Sequence, residues 1–517
     1  MKCFVFMMLA MSVMTDGPDF DSAVLRLSGA GTMEELEEGE LERYRSFYLH
    51  PLDLNAAGRG RLLSSGLLTA FQAASLLDWR ERSGDILSYA ELAMLDGFDE
   101  ETAEALRCFT KLESAAPPGK RRGGGWRHDV MLRGAARSNL ESAPEQAFGM
   151  RYRLSSGEKA ELYLAGRNTY GKPDFGAGTV SAAWYGRHAK VVLGHFNARF
   201  GQGLAVWSGF SMSPYGSVDS FRRSASGFSP TGSFSPEYCG AAADIDLGRW
   251  NAGLAYSFDG NAAIGSLSYC ARRFSAGVTA SGGAVSADFK LGFPGLSLYG
   301  EAAWKEAPSA LAGLHWVPSY GYKAGLQLRW IKGVPELLAG ASLKPADVVA
   351  AYSPEQFRLM GRYAPEIRLG RFGLKPLVRL AARKKGAWRL EGRGELHASC
   401  GPFGVSSRFD WVKCKSAAWL VNSEAGYSAE KFKCWLRATL FCVDDWDDRI
   451  YVYERDAPGS FNVPAYYGRG RALSFVGAWK FTARQAVYWR CSFIDYPWMT
   501  KYKEPRAEVK LQYQLRL

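Results

Sequence analysis

Residues 507–517 read Ala-Glu-Val-Lys-Leu-Gln-Tyr-Gln-Leu-Arg-Leu, apolar at every odd position and polar at every even one. A strand turns alternate side chains to opposite faces, so this segment has one oily face and one wet face. The rhythm recurs from Trp126 onward. In residues 322–330 the even positions Ala324, Leu326, Leu328 and Trp330 oppose Lys323, Gln327 and Arg329. In residues 388–398, Arg389, Glu391, Arg393, Glu395 and His397 share one face, with Trp388, Leu390 and small residues opposite. Many such strands in series predict a closed antiparallel transmembrane β-barrel with a wet lumen and a lipid-facing wall, its last strand sealing against its first.

At about 18–20 residues per strand and turn, residues 126–517 predict 18 strands, with a range of 16–22. Aromatic residues near strand ends, such as Trp184, Tyr451, Tyr466, Trp479 and Trp498, predict interfacial girdles.

The front of the chain is different. Residues 1–15 carry Lys2 and then an apolar run, the pattern of a secretory signal peptide. Residues 16–115 hold 9 Lys+Arg and 20 Asp+Glu, net −11, whereas residues 116–517 are net +22. Such asymmetry predicts two modules, an acidic helical one at 16–115 and a basic barrel at 126–517. The Pro/Gly stretch 116–125 joins them, and its Lys120-Arg121-Arg122 suits either anionic headgroups or solvent.

Residues 33–48 predict a short acidic helix. Within residues 51–109 the order helix, Gly-turn, helix occurs twice, with Thr69 and Ser88 as N-caps and turns at Gly66 and Gly97. Together with Asp53-Leu54-Asn55-Ala56-Ala57 and Trp79-Arg80-Glu81-Arg82-Ser83-Gly84, this resembles the tandem helix-hairpin-helix module of competence DNA-receptor proteins. The resemblance implies that a hairpin's backbone N–H groups hold a DNA phosphate, here at Gly66, Leu67, Leu68, Gly97 and Phe98. The sequence departs from that pattern at two places. Leu68 is bulky where the backbone must approach phosphate, and Asp99-Glu100-Glu101 places negative charge at the second hairpin. With the net −11 of the module, nucleic acid is disfavoured as a partner.

Two segments break the strand rhythm. Residues 200–236 form a long loop, able to fold into the lumen or cap it, with Gln202, Phe221, Arg222, Arg223 and Phe228 as candidate plug residues and Phe210 and Phe234 as further anchors. Asp444, Asp445, Asp447 and Asp448 are a candidate Ca²⁺ site, but the spacing lacks the EF-hand glycine, so a solvated loop is expected. The cysteines form no C-x-x-C pair and the histidines no ligand array, so no metal or cofactor is predicted. No G-x-S-x-G elbow occurs, and no enzymatic activity is expected.

Phe200-Gly201-Gln202-Gly203-Leu204, residues 449–454 (Arg-Ile-Tyr-Val-Tyr-Glu) and Tyr467-Gly468-Arg469-Gly470 extend the resemblance. They are similar to a Bacteroidetes-type outer-membrane barrel family with N-terminal helix-hairpin-helix repeats. The expectation is an outer-membrane barrel in contact with lipid, its helical module in the periplasm recruiting a periplasmic or membrane protein. A DNA-uptake protein is the alternative.

Overall fold

The computed structural model describes residues 20–114, 125–139, 143–209, 215–234, 236–271, 273–319, 321–499 and 504–517. The predicted signal peptide, Lys120-Arg121-Arg122 and Phe210 lie outside them.

From Trp126–Ser138 to Arg506–Arg516 the chain makes a closed antiparallel barrel of 24 strands. Closure is made by the last strand on the first, with Val130 opposite Leu515 and Ala136 opposite Val509. Two short segments, Gly227–Pro230 and Ile367–Leu369, pair along neighbouring strands without adding to the circumference. The expected 18 strands, and the whole 16–22 range, are therefore too few. The error lies in the connections. A single residue, Gly386 at φ +73°, joins the paired Lys385 and Ala387, and only two residues separate Leu247 from Trp250 or Cys400 from Phe403. Short turns fit more strands into the same length.

The barrel is turned inside out relative to a soluble protein. In the last strand Leu511 is 56% exposed and Gln512 1% exposed; in Tyr322–Ile331, Leu328 is 58% and Gln327 3% exposed. Exposed apolar side chains cover the outer wall, as lipid requires, and polar ones point inward. Exposed aromatics collect at both edges of this wall, with Trp184, Trp250, Tyr322, Tyr363 and Trp479 near one and Trp304, Trp330, Tyr352 and Trp388 near the other. Among the described residues no helix is long and apolar enough to cross a membrane.

The two mouths differ. Strand Trp126–Ser138 starts, and Arg506–Arg516 ends, at a mouth built of short turns. The long connections, including those after Arg199 and Val443, all lie at the other.

Among the described residues six α-helices precede the barrel: α1 (Phe20–Ser28), α2 (Glu38–Leu49), α3 (Arg59–Ser65), α4 (Ala70–Ser83), α5 (Tyr89–Ala93) and α6 (Glu100–Leu106). The acidic helix expected at 33–48 is interrupted. Met33–Glu35 is a 3₁₀ turn, and Leu36 and Glu37 are extended before α2 begins. The helices are locally well specified. Thr69 and Gln72 form a reciprocal capping box on α4, Ser88 caps α5, and Asp99 caps α6 by accepting from the Thr102 N–H at 2.6 Å. Leu41, Tyr44, Leu62, Leu76, Leu92 and Phe109 are buried together, so the module has an apolar core of its own and a polar outside.

Candidate functional site: the filled lumen

A polar object fits a polar lumen, and the helical module lies inside the barrel. Its side chains reach strands around most of the circumference. Arg61 of α3 meets Glu158 at 3.0 Å and Glu161 at 2.6 Å, and Arg59 meets Asp246 at 2.9 Å. Glu37 faces Arg199 at 3.9 Å, Glu38 faces Arg167 at 3.7 Å, and Glu42 pairs with Arg151. Further round, Gly31 accepts from Arg362 at 2.9 Å, and Glu35 faces Arg379 at 3.6 Å. Inward residues on widely separated strands of a closed barrel can meet one small domain only if it is inside. The module was expected to stand at the periplasmic mouth. Instead its first 30 described residues run deep, while α3 to α6 sit near the short-turn mouth, where Glu101 pairs with Lys344.

Glu34 bridges two neighbouring strands. Its carboxylate lies between Arg393, at 3.4 Å, and Arg408. It also accepts the Tyr453 N–H at 3.2 Å, while Arg408 donates to the Tyr451 carbonyl at 3.0 Å. Burial opposes ionisation of Glu34, but the two guanidiniums outweigh it and hold its pKa well below the ordinary value. Glu35, next in the chain, moves the other way. Its burial and the neighbouring Glu34 charge outweigh Arg379, the Gly31 N–H and Arg393, and its pKa is raised.

Two loops enter from the long-loop mouth to meet the module. In the first, Asp219 joins Arg26 of α1, at 3.4 Å, to the wall residues His315, at 3.0 Å, and Lys323, at 2.9 Å. Phe221 packs with Val218 on Leu338, Val349 and Met360, and the Phe221 carbonyl accepts from Gln327 at 2.9 Å. Gln202 donates its N–H to Glu301 at 2.7 Å and brackets Arg223 through two hydrogen bonds. Arg222 reaches Ser297, Phe228 stacks edge-on to Phe196 and Phe200, and Phe234 lies under Arg151 and Arg167. The plug candidates are thus spread along one side of the lumen, in three separate contacts. The second loop, after Val443, runs along the wall opposite. Glu454 pairs with Arg490, and Asp456 with Lys510 at 2.9 Å.

The four aspartates of the candidate Ca²⁺ site do not converge. Asp444 pairs with Arg469 at 2.7 Å, Asp447 with Lys415 at 2.7 Å, and Asp445 accepts the Asp447 N–H at 2.8 Å. Asp448 is fully buried, not solvated, and gathers the N–H groups of Cys414, Lys415 and Ser416. Among the described residues no cluster of acidic, His and Cys side chains could hold a metal ion. At the hairpins, Leu67 and Leu68 are buried in the module core. At the second, the Asp99 carboxylate takes the N-terminal position of α6 and pairs with Arg26 at 2.9 Å.

Glu34, Arg408, Arg61 and Asp219 were not singled out from sequence, and Arg393 was read only as one of several charges on a wet strand face. The opposed net charges of the two modules were the available signal.

No family model and no curated protein matches the chain. Among solved structures it is similar to OccK3 (OpdO) of Pseudomonas aeruginosa at 11% identity and a TM-score of 0.32, covering 76% of this chain and 95% of that one. It is also similar to the P pilus usher (PapC) translocation pore at 9% identity and a TM-score of 0.38, covering 76% and 99%. Superpositions this loose carry no functional information.

Proposed function

We propose that the chain is a non-enzymatic outer-membrane barrel, in contact with lipid, that is closed at rest by its own helical module and conducts cargo when the module is displaced. The carrying observation is Glu34 held between Arg393 and Arg408, at the point where module and loop meet. Longer connections mark the extracellular mouth in barrels of this kind, so the short-turn mouth faces the periplasm. There the module presents Leu87, 70% exposed, and Met94, 84% exposed, among Glu81, Asp96, Glu100 and Glu104. Exposed apolar side chains on a net acidic module suit a basic periplasmic partner that engages the module. DNA remains disfavoured, because the Asp99 carboxylate already caps one helix start and the module is net −11.

Planar-bilayer recording tests the closed barrel. The full chain should conduct little, and Arg393→Glu/Arg408→Glu should raise conductance by repelling Glu34. Large steady conductance in the unaltered chain would refute a closed resting state.

A further inference from the structure

We propose that the long-loop mouth carries a binding site for multivalent oxyanions, built from arginines held against aromatic rings. Tyr215, in the first loop, lies beneath two guanidiniums from different strands, with Arg329 at 5.6 Å and Arg358 at 5.8 Å from its ring centre. In the same loop Arg223 stands 4.9 Å over the ring of Trp207.

The charges do not cancel. Arg329 meets Glu336 at 3.2 Å, but Arg223 and Arg358 meet no carboxylate within ion-pair distance among the described residues. Burial and the nearby Arg329 outweigh Tyr215 and Glu301 and hold the Arg223 guanidinium below its ordinary pKa. Aromatic faces orient the Arg223 and Arg358 guanidiniums for N–H donation to carboxylate, sulfate or phosphate, while Arg329 is already engaged by Glu336 and the Tyr215 hydroxyl. Ion pairs that close the barrel lie behind this cluster, so a ligand bound here is held at the outer mouth. The site takes from the closed-barrel reading only the direction of approach, and binding is measurable whether or not the barrel conducts.

The test is calorimetric titration of the full chain in detergent with two probes, a sulfated heparin hexasaccharide and sodium tripolyphosphate. The unaltered protein should bind at least one with a Kd below 100 μM. Binding of the first alone marks a sulfated glycan as the source, and of the second alone a phosphate chain. Arg223→Ala/Arg358→Ala should weaken binding at least tenfold. Lys332→Ala, which removes a cation from an exposed turn at the same mouth, should leave it unchanged. Heat-modifiability on gels shows that each variant folds. Binding of neither probe at 1 mM, or equal weakening by Lys332→Ala and by the double variant, would overturn the site.

Discussion

Glu34 and Glu35 show how neighbours in sequence acquire opposite roles. One faces two guanidiniums and stays ionised; the other faces one at longer range, and burial wins. A buried ion pair adds little net stability, and Arg393 and Arg408 keep Asp410 and Glu395 as partners when Glu34 is removed. Glu34→Ala should therefore loosen the module without unfolding the barrel. Hydrogen exchange should rise across residues 20–50, while the heat-modifiable band persists. Unchanged exchange there would count against Glu34 as an anchor. The sign of the pH effect follows from its lowered pKa. Docking supported by Glu34 is fully present above the ordinary value of 4.5 and is lost only as pH falls through the lower folded value. Exchange at residues 20–50, divided by the intrinsic amide rate at each pH, should thus be flat from pH 8 to pH 5 and increase in stronger acid. A rise already between pH 7 and pH 5 would contradict this.

Strand alternation was legible because lipid outside and water inside leave it unmixed over many segments. On this basis Leu328→Arg, near the outer surface, should cost up to about 2–4 kcal/mol, falling towards the interface. The measurement is urea unfolding in lipid vesicles, with Lys305→Ala, in an exposed turn, as the silent control. Equal stability of Leu328→Arg and the parent would place Leu328 off the lipid face. Strand number was not legible, because Gly386 and similar one- or two-residue turns leave almost no break in the alternation. The helix caps at Thr69 and Ser88 could be read locally. The partners of Glu34 could not, since Arg393 and Arg408 lie more than 350 residues away and many inward arginines are equivalent by pattern.

For the whole molecule, the opposed charges of module and barrel are two halves of one interface. An acidic module held in a basic lumen is attracted at long range and then placed by individual pairs. High salt weakens the first effect more than the buried pairs. The central claim is that the module, entering at the short-turn mouth, meets inside the barrel a loop that enters at the other. A Cβ added at Gly39 of α2 would lie 3.8 Å from the Ser233 Cβ, a separation suited to a disulfide. Gly39→Cys/Ser233→Cys, oxidised in intact outer membranes and digested, should yield the cross-linked peptide containing both positions. Recovery of both cysteines as free, alkylated thiols in a folded, heat-modifiable barrel would place the module outside the lumen.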